Sequence, residues 1–128
     1  MEYTLLGNKI CLKTSNGFEF IIYSNILNFS IYESHVEAIL FNGNKLRILH
    51  SLKELDIHLS KLMFCRCRSN CLVNLNHISI YVHKTGELYM SNKSKIVVAK
   101  DRRSVFKNMI SNGILHGNGS HKVEMETL

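Results

Sequence analysis

The chain has 128 residues, 45% apolar and 20% charged, with 16 Lys+Arg against 10 Asp+Glu, a net charge of +6, four cysteines, and neither proline nor tryptophan. This composition is globular and excludes a disordered or collagen-like chain, and the length suits one compact domain that needs no disulfide staples. The longest uncharged stretch, Phe20 to Tyr32, reaches about two-thirds of a membrane span and is broken by polar residues, so no membrane partner is expected. Because the start lacks the charged and apolar regions of a signal peptide, a cytoplasmic location with reduced cysteines is expected.

Along the chain, short segments carry the period of half-buried strands. Leu27, Phe29 and Ile31 alternate with Asn28, Ser30 and Tyr32, and Ile78, Ile80 and Val82 alternate with Ser79, Tyr81 and His83. Turn signals separate such segments at Asn16-Gly17, Glu33-Ser34, Asn42-Gly43-Asn44, Thr85-Gly86 and Ser91-Asn92-Lys93, predicting a mainly antiparallel β protein. Two short helices interrupt the pattern. Ser51-Leu52-Lys53-Glu54 has the form of a capping box, and Leu52, Leu55, Leu59 and Leu62 follow at helical spacing. A second helix is predicted from an Asp101 N-cap to Ile110, with Val105, Phe106, Met109 and Ile110 on one side and Arg102, Arg103 and Lys107 on the other. One domain over residues 1–110 and a loose tail over 111–128 are expected.

The excess charge is localised. From Phe64 to Ile110 there are nine bases and two acids, whereas the remainder is close to neutral. A polyanion-facing surface has this form, and so does a solvated basic face. No phosphate loop, nucleophile elbow or His-Glu-x-x-His run is present, so neither an enzyme nor a cofactor is expected. Cys65 and Cys67 are separated by one residue, where a zinc knuckle needs two to four, so no metal is expected. Buried structural thiols and a redox role for Cys65, Cys67 or Cys71 both fit.

The run Phe64-Cys65-Arg66-Cys67-Arg68-Ser69-Asn70-Cys71-Leu72-Val73-Asn74, followed by Ile78, resembles the Phe-x-Arg-x-His-Arg-Ser-x-x-Val-Asn signature of LytTR DNA-binding domains. Ser51 to Leu55, Asn25 to Phe29, Gly86 to Met90 and Ala99 to Arg103 are similar to further family segments in the same order, so the resemblance covers about residues 9–110. It implies an elongated fold of about ten short antiparallel strands in small sheets with two short helices, in a bacterial, response-regulator-like transcription regulator. This chain is expected to stand alone, without a receiver domain.

The resemblance also implies a partner and a site. The partner is double-stranded DNA, read in its major grooves by loop side chains and commonly bound by two copies on direct repeats, with a homodimer on DNA as one form. The base-reading positions fall at His35, in the Arg68-Ser69-Asn70 loop and at Lys100. Physically, Arg68 suits a fork to guanine, Ser69 suits a phosphate or a base edge, and Lys100 suits a phosphate. Lys93, Lys95, Arg102 and Arg103 are expected to add backbone attraction. Arg68, Ser69, Asn70 and Lys100 replace the family's usual His, Arg, Ser and Arg, so the target sequence does not carry over. A non-enzymatic interaction module and a thiol-based sensor are the alternatives.

Overall fold

In the computed structural model, which describes residues 5–116 and 124–126, the predicted turns close hairpins. A three-stranded antiparallel sheet is formed by β1 (Leu5–Leu6), β2 (Lys9–Thr14) and β3 (Gly17–Ile22). A five-stranded antiparallel sheet contains β4 (Ile26–Tyr32), β5 (His35–Leu40), β6 (Lys45–Ile48), β7 (Phe64–Arg68) and β8 (Cys71–Asn74), in the order β6-β5-β4-β8-β7. Between β6 and β7 lies helix α1 (Leu52–Leu59). The third sheet has the order β11-β10-β9-β12, from β9 (Ile78–Val82), β10 (Glu87–Met90), β11 (Lys95–Val97) and β12 (Glu124–Glu126). Helix α2 (Arg103–His116) precedes β12, which runs parallel to β9; the other neighbours are antiparallel. No helix among the described residues is long and apolar enough to cross a membrane.

The five-stranded sheet separates two apolar clusters. On one face Phe29, Val36, Phe64 and Leu72 pack with Ile10 and Leu12 of β2 and Leu52, Leu55 and Leu59 of α1. On the other, Leu27, Cys65, Cys67, Cys71 and Val73 pack with Tyr81, Leu88, Val98, Phe106 and Ile110. The first helix forms as its sequence predicts: the Ser51 hydroxyl accepts from Glu54 N at 3.0 Å, and the Glu54 carboxylate accepts from Ser51 N at 2.9 Å.

The predicted alternation fails in two strands, for one reason. A register shift between Ile26 and Asn28 turns Leu27 to the face opposite Phe29. In β9 the shift opposite Tyr89 and Met90 makes Ser79 the extra residue, so Ile78 and Tyr81 point inward while Ile80 is left exposed. A bulge inserts one residue into a two-residue period and reverses every face beyond it. The second helix also starts later than predicted. Lys100–Arg102 forms a 3-10 turn, closed by Arg102 N donating to Ala99 O at 2.9 Å, so Asp101 lies inside that turn instead of capping α2. Val105 is 52% exposed and outside the apolar side, which is built on Phe106 and Ile110. Of the expected tail over 111–128, the described part is the end of α2 and β12; its other residues lie outside the described residues.

Two joints hold the layers. At the first, Gly86 has φ +77°, and a β-carbon there would lie 2.5 Å from Arg103 Nε, because the guanidinium rests on the glycine while Nη2 donates to Thr85 O at 2.8 Å. Gly86→Ala is therefore expected to lose about 1–3 kcal/mol of stability, through left-handed backbone strain and displacement of Arg103. An unchanged urea midpoint would contradict this account. At the second joint, the buried His50 accepts a hydrogen bond from Lys13 N at 3.0 Å, tying β2 to the start of α1. Burial holds its pKa below the ordinary 6.5, with Glu54 opposing and Lys13 and His58 adding to the shift. As pH falls through 6.5 the unfolded chain takes up this proton first, so stability declines from there down to the lower folded pKa. Thermal midpoints measured from about pH 8 to about pH 5 should fall, and His50→Gln should remove part of the slope. An unaltered slope in the variant would exclude His50 as a source.

Candidate nucleic-acid interface

Strand direction brings two of the sequence-predicted loops to one end of the five-stranded sheet. β4 runs antiparallel to both β5 and β8, so Tyr32 faces His35 across the first turn and Ser30 faces Cys71 beside the second. Ile31 N donates to Asn70 O at 3.0 Å, joining the two turns directly. Arg68, the last residue of β7, and Ser69 and Asn70 of the β7–β8 turn are all exposed.

His35 is the first residue of β5 and half-buried, not a solvated turn side chain. Its Nε2 lies 3.0 Å from Glu37 Oε2, two residues along the same strand face, and its ring meets Tyr32 edge-on at a centroid distance of 6.0 Å. In the neutral tautomer whose Nε2 donates to the carboxylate, Nδ1 is an acceptor, so the Glu37 contact bears on what this imidazole offers a partner.

The segment before α2 is strapped to β7, an edge strand of its sheet. Ala99 N donates to Cys67 O at 2.9 Å, and Arg102 Nε donates to Arg66 O at 2.7 Å. Arg68 reaches across to donate from Nη1 to Val97 O at 3.3 Å. These bonds satisfy edge groups that would otherwise template foreign pairing, and they set the exposed Lys100 beside the Arg68 strand. Arg66 is a contributor that the sequence reading counted only as charge. Its Nη2 donates to Ser69 O at 2.7 Å, bracing the turn from behind, while its Nε is buried with no partner. The only sequence signal for this role is the arginine three residues before Ser69, which does not separate a brace from a phosphate contact.

The remaining predicted cations are more dispersed. Lys93 is exposed, with φ +72°, in the β10–β11 turn. Lys95 pairs with Glu87 at 3.2 Å, an exposed contact worth little by itself. Arg102 and Arg103 each commit one nitrogen to a backbone carbonyl. Between the five-stranded sheet and β11 lies a cleft of about 490 Å³, with Arg68 and Asn70 at one wall and Lys95 at another. Cys65, Cys67 and Cys71 are buried free thiols, and burial pushes Cys65 up to about 11. No group of three or more potential ligands able to hold a metal occurs among the described residues.

Small antiparallel sheets that present adjoining turns and a basic segment strapped to an edge strand define a loop-presenting β module. The LytTr DNA-binding domain model matches residues 16–111, and the chain belongs to that family. It is thus a DNA-binding domain with DNA as its partner, in a family defined by binding rather than by catalysis. A solved structure, the LytTr DNA-binding domain of a methyl-accepting/DNA response regulator from Bacillus cereus, shares the fold with a TM-score of 0.70. Identity is 24%, over 82% of this chain and 98% of that one. A search of curated proteins finds no match.

Proposed function

We propose that the chain is a transcription regulator that binds double-stranded DNA sequence-specifically, with Arg68, Ser69, Asn70 and His35 directed at base edges in the major groove. The observation that carries this reading is the joining of the β4–β5 and β7–β8 turns at one sheet end, with Arg68, Ser69 and Asn70 exposed. An arginine fork can discriminate guanine, whereas a lysine offers only a point charge, so Lys100 acts on a phosphate. Lys93, Lys95, Arg102 and Arg103 add attraction that carries no sequence information. Two copies occupy direct repeats, each placing the same turns in successive major grooves.

Selection of bound duplexes from random DNA tests this reading. The expected result is an enriched motif repeated in one orientation, with affinity falling in salt by a log-log slope of about −0.9 per phosphate contact. Absence of both enrichment and low-salt duplex binding would overturn it.

A further inference from the structure

The cleft behind the Arg68 turn is lined by a buried thiol that DNA binding does not use. Cys71 lines it beside Asn28 and Ser30, opposite Ile96 and Val97. The Cys71 sulfur accepts from Asn28 Nδ2 at 3.8 Å and from Ser30 Oγ at 3.6 Å, and Asn28 is itself 8% exposed. Cys67 is the neighbouring thiol. It falls at the register shift between Arg66 and Arg68, with Arg68 paired to Cys71, and its Sγ lies 3.7 Å from Cys71 O. The residues between these two cysteines are Arg68, Ser69 and Asn70, the whole of the turn assigned to base reading.

We propose that Cys71 and Cys67 form a modification site for low-molecular-weight disulfides entering through this cleft, and that its oxidation weakens DNA binding. The effect on DNA rests on the reading of the Arg68 turn given above. The thiols are unequal partners. A hydrogen bond from Cys67 is the first cause holding the Cys71 pKa below its ordinary value, against burial and with help from Ser30, Arg68 and Asn28. The same bond, with burial, pushes Cys67 up. Cys71 lines the cleft and Cys67 is not among its lining residues, so an entering disulfide meets Cys71 first and Cys67 is the thiol that resolves.

In the first step the Cys71 thiolate forms a bond to one sulfur of the disulfide RSSR, the RS–SR bond breaks, and one RS⁻ leaves. Cys67 then gives up its proton and attacks the Cys71 sulfur, expelling the second RS⁻. Two protein thiols are oxidised to one disulfide, RSSR is reduced, and the two protons leave with two RSH. The closed ring clamps Arg68, Ser69 and Asn70 and draws the Cys71 sulfur away from Asn28 and Ser30. Ring closure thereby alters the backbone that carries Arg68, Ser69 and Asn70 and removes two side-chain contacts at its base.

Oxidised glutathione is the probe, applied to the folded protein, with peptide mapping and duplex titration as the two readouts. Expected are a Cys67–Cys71 disulfide, a mixed disulfide at Cys71 in Cys67→Ser, protection of Cys67 in Cys71→Ser, and a loss of duplex affinity of about tenfold or more that dithiothreitol reverses. Modification of Cys65 or Cys11 ahead of Cys71, or equal duplex affinity before and after Cys67–Cys71 closure, would overturn the proposal. If the reduced protein fails to bind any duplex while the disulfide still forms, the base-reading assignment fails and the modification site stands. Cys71→Ala, checked for folding by circular dichroism, repeats the mapping should the serine variant unfold.

Discussion

Arg68→Ala is expected to weaken binding to the selected duplex by about 1–3 kcal/mol, roughly fivefold to 150-fold, and to flatten the preference at one base pair. The side chain is exposed and lines the cleft, and its bond to Val97 O engages one nitrogen of the guanidinium. A preorganised guanidinium loses less conformational freedom on contact than a free one, which favours a large effect from a single residue. Arg68→Lys separates the two chemistries. If Arg68 forks to a base, lysine restores little of the loss; if it holds a phosphate, lysine restores most of it and the deficit is the same on every sequence. Duplex titrations at several salt concentrations with selected and scrambled sites decide between them. A uniform deficit rescued by lysine would move Arg68 from base reading to backbone positioning.

Asn74→Ala is expected to lower stability by about 2–4 kcal/mol without altering the DNA affinity of the folded protein. Asn74 is fully buried at the end of β8. Its Nδ2 donates to Ile26 O at 2.9 Å and to Tyr23 O at 3.3 Å, and its Oδ1 accepts from Asn76 N at 3.0 Å. One amide thus serves three backbone groups where the chain enters β4 and where the turn after β8 begins. Alanine removes all three partners at once, and at about 1–3 kcal/mol per buried group left unpaired, partial access to water brings the sum into the stated range. Asn74→Asp should be nearly as damaging, since it keeps the acceptor for Asn76 N and loses both donated bonds. Urea denaturation is the measurement, and a change under about 0.5 kcal/mol in either variant would refute this role.

Asn74 also marks where reading the sequence stops. Asparagines at 70 and 74 both resemble turn formers in sequence, yet one is exposed beside the proposed reading loop and the other is a three-way buried connector. Local chemistry is the same in the two cases. The difference is the distant partner, Tyr23 and Ile26, about fifty positions away in the chain. His50 shows the same limit, because its hydrogen bond comes from Lys13 N, thirty-seven positions away.

The sequence by itself determined the features with short-range causes: the five predicted turns, the Ser51 to Glu54 capping box, the mainly antiparallel class, and the motif order by which the chain belongs to the LytTR family. The turns and the capping box depend on residues a few positions apart, and the motif order is read along the chain without knowledge of which segments pair. The tertiary structure alone decided which faces of β4 and β9 are buried, since a bulge arises from pairing with another strand. It also joined the His35 and Arg68 turns through Ile31 and Asn70, and set Cys71 at the wall of a cleft with Cys67 beside it. Those arrangements come from strand register and sheet packing, which form only when segments far apart in the sequence compete for the same edge and the same core.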